Sequence, residues 1–298
     1  MTARVLLTGG TGFVGTAAAR ELRARGVEVR ALVRDPERAA RLVGWGVELA
    51  AGDVTDARSV AEAADGCTHA IHLVAIIRGR PAAFERVMVE GTRNVLAGAR
   101  AAGVARLVHM SALGVSERTR TLTPYLAAKW RMEEDVRASE LEHVILRPSF
   151  VFGRDGGVLP TLVRQVRLSP VVTVVGSGRQ RFQPVWVDDV AAHLAAALDA
   201  PAAANRTLEL GGPDVVDWNE LYSRIARALG RRRALVHVPA GLVRAGAGLA
   251  GWIPGSPLTA DQVTMLVDSG DNVVAGPAAA ETFGLPLVRL DEQLRRAV

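Results

Sequence analysis

The segment that most constrains this chain is Thr8-Gly9-Gly10-Thr11-Gly12-Phe13-Val14-Gly15, which follows the apolar run Val5-Leu6-Leu7. The apolar run predicts a buried strand, and the residues after the glycines predict a helix through Glu21-Leu22. Two glycine spacings are satisfied together, Gly9/Gly12/Gly15 and Gly10/Gly12/Gly15. Glycine serves such a turn in two ways: it adopts backbone angles closed to other residues, and it lets the main chain approach a pyrophosphate. The helix that follows offers free N–H groups and the positive end of its dipole to the phosphates. A glycine turn used only for tight helix–strand packing is the simpler alternative. The strand–turn–helix–strand context is the one that dinucleotide binding requires. Thr8, Gly9, Gly12, Phe13 and Val14 are therefore the candidate cradle.

The end of the second strand reports on the dinucleotide. An acidic residue there binds a ribose 2′-hydroxyl, as in NAD(H) sites, whereas a nearby arginine accommodates the 2′-phosphate of NADP(H). Here the strand ends Leu32-Val33-Arg34-Asp35. A guanidinium forks onto phosphate, so Arg34 points to NADP(H) over NAD(H). Asp35 is either the acid of an NAD site or a partner for Arg38.

Short apolar runs and helical patterns alternate through the first half. Strands are expected at 5–7, 27–33, 47–49, 69–74, 106–110 and 143–146, with helices between them, including 57–64, 82–102 and 124–138. One helix per crossover means parallel pairing, hence a doubly wound α/β sheet. After Pro148 the pattern loosens into a smaller mixed α/β unit. The reading assigns residues 1–150 and about 183–205 to the dinucleotide-binding domain, and about 151–182 and 206–298 to a substrate or partner domain. Asp188 or Asp189 is expected to cap a helix at 190–198.

Composition excludes several classes. With 49% apolar and 22% charged residues, the 298-residue chain is globular rather than disordered. The single cysteine, Cys67, rules out an intrachain disulfide and a multi-cysteine zinc site. No histidines pair at metal-ligand spacing, so no metal is expected. A net charge of +5, scattered arginines and 4% aromatics argue against nucleic-acid binding, and Arg231-Arg232-Arg233 reads as a solvated turn. No secretory signal is visible, and the uncharged stretch from Ala245 to Ala260 is short for a membrane span. A cytoplasmic location is the expectation.

With TGGTGFVG at 8–15, Asp53-Val54, HLVA at 72–75, GTRNVL at 91–96, YLAAK at 125–129, RPSFVFG at 147–153 and PVWVDDVA at 184–191, the chain resembles the extended and atypical short-chain dehydrogenase/reductases. Three further segments, 168–191, 209–215 and 257–274, resemble bacterial relatives of the respiratory complex I alpha-subcomplex subunit nine. The resemblance implies a Rossmann sheet. It also implies adenine contacts from Asp53 and Val54, and Leu73, Val74 and Ala75 along the nicotinamide side. Pro148 and Val151 would border the nicotinamide. Tyr125 would be the general acid/base. Lys129 would bind the nicotinamide ribose and lower the tyrosine pKa.

Tyr125 and Lys129 are four residues apart and share one helix face. Lys129 is the only lysine among the 36 basic side chains, and a compact ammonium suits this site better than a forked guanidinium. Two departures weaken the catalytic set. The family's Ser or Thr after strand five falls on Ala112, with Ser111 one residue earlier and so on the opposite face. The family's Asn before GT falls on Met88. Ser111 therefore joins Tyr125 and Lys129 as a candidate catalytic residue only if the strand has ended.

Arg154, Arg179 and Arg181 could take a nucleotide-sugar diphosphate, and solvated loop arginines are the plainer reading. The apolar segment Leu242–Ile253 reads as a packed cap helix, with a membrane, a quinone tail or a partner subunit as the alternative. The functional expectation is an NAD(P)H-binding protein of the complex I accessory-subunit type with weak oxidoreductase activity. Its partners would be the cofactor, a small molecule or quinone, and a respiratory-complex or membrane-associated protein at the inner face of the membrane. The alternatives are an NADP-dependent oxidoreductase or nucleotide-sugar epimerase/dehydratase using Tyr125 and Lys129, and a redox sensor.

Overall fold

The structure, a computed structural model, describes residues 3–250 and 259–298, with side chains omitted for 247–250. Trp252 and Ile253 of the apolar segment thus lie outside the described residues.

Seven strands form one parallel sheet: β1 (Arg4–Thr8), β2 (Glu28–Val33), β3 (Glu48–Ala51), β4 (His69–His72), β5 (Arg106–Met110), β6 (Glu142–Pro148) and, much later in the chain, β11 (Arg206–Leu210). Their order is β11-β6-β5-β4-β1-β2-β3. The order reverses between β1 and β4, so a crevice opens at the C-terminal ends of those strands, where open α/β sheets bind ligands.

Helices cover both faces because strand side chains alternate. Val5 and Leu7 enter one core with α1 (Phe13–Ala24) and α8 (Val187–Ala196). Leu6 enters the other with Val60 of α3 (Ala57–Ala64) and Val95 of α5 (Gly91–Ala101). A short α2 (Ala40–Val43) precedes β3. The expected helix at 82–102 is a composite: α4 (Pro81–Phe84), a π-helical stretch Glu85–Glu90, then α5. The next helix, α6 (Pro124–Arg137), starts where Thr123 Oγ1 accepts the Leu126 N–H and Pro124 occupies the first turn.

The remaining chain builds a second core between α7 (Leu159–Leu168), α9 (Trp218–Ala228) and α13 (Leu290–Ala297). Three two-stranded pairs surround it. β7 (Val151–Phe152) pairs with β10 (Val185–Trp186), and β9 (Arg181–Phe182) with β12 (Val216–Asp217). The third pair is β8 (Val171–Val175) with β13 (Ala234–Val238). The helices α10 (Ala240–Ala250), α11 (Ala260–Asp268) and α12 (Ala279–Phe283) complete the chain.

Two expectations need correction. The sequence pattern puts the strand Arg206–Leu210 in the second unit, but it pairs in parallel with β6, from Arg206 opposite Val144 to Leu210 opposite Pro148. Asp188 and Asp189 do not cap α8, whose N-cap is Trp186. Asp188 instead binds Arg20 and the Trp186 indole N–H, and Asp189 accepts the Val288 N–H at 2.8 Å.

A candidate dinucleotide and active site

The glycine turn has the shape that a pyrophosphate needs. Gly9 has φ +78°, and a Cβ there would lie 3.1 Å from the Leu73 carbonyl carbon and the Val74 nitrogen. A Cβ on Gly15 would lie 2.0 Å from the Gly9 oxygen, so the loop closes only with glycine at that position. Gly12 N–H donates to Gly9 O at 3.0 Å. Gly12 then starts α1 with no side-chain cap and no acid in the first turn. The first N–H groups of this 12-residue helix are left for an anion. The residues present fit a dinucleotide pyrophosphate. Phe13 and Val14 offer it only their backbone: the Phe13 ring fills the space over Gly153, Gly156 and Gly157, and Val14 packs in the core.

Beyond β2 and β3 lies the adenosine end. Arg34 is exposed and has no acidic partner among the described residues. Asp35 is occupied, pairing with Arg38 at 3.2 Å and accepting the Glu37 N–H. Asp53 accepts the Thr55 N–H at 2.8 Å and its hydroxyl at 2.9 Å. Val54 is buried against Gly91, where a Cβ would approach Val54 Cγ2 to 2.9 Å.

At the crevice itself, Leu73, Val74 and Ala75 follow β4, with Leu73 N–H donating to Thr8 O at 3.1 Å. Pro148, buried, accepts the Leu113 N–H at 2.8 Å, and Val151 pairs with Val185. All these residues lie at or just past the C-terminal ends of the strands.

A buried hydrogen-bond chain joins the turn to the π-helical stretch. His72 Nδ1 is 2.7 Å from Thr8 Oγ1, and Nε2 is 3.0 Å from Thr92 Oγ1, which bonds Met88 O. Its direction is forced. The Met88 carbonyl only accepts, so Thr92 gives it its proton and must accept from His72 Nε2–H. Nδ1 therefore accepts from Thr8. Burial, then the nearby Lys129 charge, pushes His72 down to about 3, so the ring stays neutral. His109, opposite His72 in the β4–β5 ladder, stacks on it at 5.5 Å. Both His109 nitrogens are buried without a hydrogen-bond partner among the described residues.

Lys129 is 1% exposed, and Nζ donates to Met110 O at 2.7 Å. Burial lowers its pKa to about 8, against the opposing pull of Glu133. Tyr125 packs against the cluster of Phe84, Met88 and Met132, and burial pushes its hydroxyl up to about 12. The expected lowering by Lys129 is thus not present: the ammonium is engaged by the Met110 carbonyl, and desolvation dominates the tyrosine. Ser111 continues the β5 direction, its N–H still donating to Leu146 O at 2.8 Å. Its Oγ is buried beside the Glu133 carboxylate, which it helps to hold down, though not in ideal hydrogen-bond geometry. Ala112, next along the chain, carries no side-chain donor.

One group escaped the sequence reading. Glu133, fully buried one turn beyond Lys129, accepts from Arg147 at 2.8 and 2.6 Å and from Arg137 at 2.5 Å. Burial alone would raise its carboxyl; the Arg147 fork and Arg137 outweigh that and hold it below the ordinary range. Its signal in sequence was the spacing from Lys129, which puts a carboxylate on the same helix face.

The alternating parallel sheet, glycine cradle and Tyr–Lys helix define a dinucleotide-binding member of the extended short-chain dehydrogenase/reductases. More narrowly, the chain belongs to the NAD dependent epimerase/dehydratase family, which it matches over residues 5–211. It is 32% identical over 250 residues to a ceramide reductase of Caulobacter vibrioides, covering 83% of this chain and 78% of that one. It is 37% identical over 120 residues to the mitochondrial NADH dehydrogenase [ubiquinone] 1 alpha subcomplex subunit 9 of Arabidopsis thaliana, covering 40% of this chain and 29% of that one. In fold it is similar to the NADPH-dependent quinone oxidoreductase QOR2 of Escherichia coli in complex with NADPH. The TM-score is 0.80 at 18% identity, over 97% of this chain and 98% of that one. Among the described residues no helix is long and apolar enough to cross a membrane.

Proposed function

We propose that this protein is an NADP(H)-dependent reductase of a carbonyl group on an apolar molecule. The observation that carries the reading is the placement of the chain's one lysine: buried, and one helical turn from Tyr125 at the end of β5. Bound dihydronicotinamide supplies a hydride to the carbonyl carbon. Tyr125, protonated at neutral pH because burial holds it at about 12, donates the proton to the carbonyl oxygen. In this reading Lys129 holds the nicotinamide ribose, and Arg34, without an acidic partner among the described residues, takes a 2′-phosphate. An apolar substrate is supported by the ceramide reductase relative. It is also supported by Arg181, one of three arginines available for a diphosphate, being tied to Asp271 at 2.7 Å.

With alanine at 112, one donor to the developing oxyanion is missing. Loss of such a donor costs about 10²–10³ in kcat, so turnover is slow. That same alanine favours a second reading, a cofactor-holding subunit of a respiratory assembly, in keeping with the Arabidopsis relative.

The test follows NADPH oxidation with long-chain keto compounds, quinones and nucleotide sugars. Turnover of an apolar carbonyl is expected, Tyr125→Phe abolishing it while the NADPH Kd stays within about threefold. Arg34→Ala should weaken NADPH at least tenfold more than NADH; equal losses sink the NADP(H) assignment. Unchanged turnover in Tyr125→Phe sinks the catalytic one. Retention of NADPH for hours with no turnover favours the subunit reading.

A further inference from the structure

Charge is segregated along this chain. The stretches 156–187 and 221–260 carry ten arginines and no Asp or Glu. The fold brings parts of them together: α7 packs on α9, and β8 pairs with β13 from Val171 opposite Ala234 onward. Acids from outside these stretches reach only some of the arginines. Arg181 pairs with Asp271, Arg224 with Glu220 and Arg244 with Asp268. Arg164, Arg167, Arg227, Arg231 and Arg232 are exposed and pair with no acid among the described residues. Arg227 and the 231–233 run line an open cavity of about 450 Å³. Arg233 ties that run to α7, donating to Val166 O at 2.7 Å.

Beside this basic rim lies an apolar face. In the β8–β13 pair, Val172 and Val174 turn into the core, so Val171 and Val236 turn outward. They are 43% and 48% exposed; Leu168 at the end of α7 is 69% exposed and Leu242 at the start of α10 is 67% exposed. These four are half of the large apolar side chains exposed among the described residues. Burying such groups in hydrocarbon is favourable, and arginines without acid partners are attracted to an anionic surface. A mostly polar polyanion would satisfy the arginines and leave the apolar face in water.

We infer that this surface docks the protein peripherally on an anionic lipid bilayer, the arginines on headgroup phosphates and Leu168, Val171, Val236 and Leu242 at the acyl boundary. The inference uses no residue of the cradle or of the Tyr125–Lys129 pair and stands if the reductase reading fails.

The experiment is sedimentation of the full-length protein with vesicles of phosphatidylcholine, alone or with 30% phosphatidylglycerol, the latter fraction being roughly the anionic content that gives a useful surface potential. Binding is expected with the anionic vesicles only. Each arginine near such a surface is worth about fivefold in partition, so Arg231→Gln with Arg232→Gln should lower it about 25-fold. Val236→Thr with Leu242→Asn should lower it at least about threefold, and the loss should persist at about 0.5 M salt, where charge is screened. No binding to anionic vesicles overturns the inference. So does binding unaffected by the arginine pair. Full binding by the apolar pair, with equal retention on polyuridylate, would mean a bare polyanion surface and overturn it too.

Discussion

Lys129 lets the buried site be tested through stability alone. Its ammonium is enclosed, with one carbonyl partner, and titrates at about 8 against an ordinary 10.5. At about 1.4 kcal/mol per pKa unit, keeping that charge folded well below pH 8 costs about 3.5 kcal/mol. The sign follows from proton counting. Below pH 8 both folded and unfolded chains hold the proton, and the cost is present in full. Between pH 8 and 10.5 the unfolded chain still holds a proton that the folded chain has released, so stability rises with pH. From pH 7 to 9.5 the gain is about 2 kcal/mol. Tyr125 and Tyr222, raised to about 12, act above pH 10, outside the window. Lys129→Met keeps the side chain's length and removes the charge, at a fixed cost of about 1–3 kcal/mol for the unpaired Met110 carbonyl. Urea unfolding of both proteins at pH 7 and 9.5 isolates the effect, because every other titration is common to them. The native chain should gain about 2 kcal/mol more than Lys129→Met over that interval. Equal gains would refute the buried, weakly basic lysine.

Glu133→Gln leaves Arg147 and Arg137 facing a neutral amide, and breaking such a buried pair should cost about 3–5 kcal/mol in chemical unfolding. Because the Glu133 carboxyl is held below its ordinary value, its contribution is present above the unfolded pKa and is lost as pH falls through the folded one. The variant's acid-denaturation curve should therefore be flatter below about pH 4.5, and a curve parallel to the native one would contradict the network. Gly15→Ala drives a Cβ to 2.0 Å from the Gly9 oxygen; calorimetric titration should show NADPH affinity reduced at least about tenfold with a lowered Tm, and native affinity would show that the loop yields freely.

What the sequence revealed was local. The glycine turn, the alternation of strands and helices, and the Tyr125–Lys129 spacing depend on neighbours within a few residues. The two-residue strand period predicts opposite facing for Ser111 and Ala112 only within a strand, and β5 ends one residue earlier, at Met110. The rest required register or distance along the chain. The His72–His109 stack depends on β4 pairing with β5 in one particular alignment. Glu133 meets Arg147 across 14 residues and a turn. Asp189 finds the Val288 N–H 99 residues later, so nothing near it distinguished that partner from a helix N-terminus. The π-helical stretch that aims the Met88 carbonyl at Thr92 has no periodic signature of its own.

The seventh strand of the sheet has a consequence for how the protein is made. By the time Pro148 leaves the ribosome, the glycine cradle, Tyr125 and Lys129 have been synthesised, but β6 has no outer neighbour until β11 arrives at Arg206–Leu210. Val144, Ile145 and Leu146 sit on that open rim, an apolar strand edge of the kind that recruits foreign chains. At about 5–20 residues per second, the interval lasts roughly 3 to 12 seconds. The motif-bearing half is thus an unfinished sheet that waits on the later half, and the hazardous moment in this protein's life falls during its own translation.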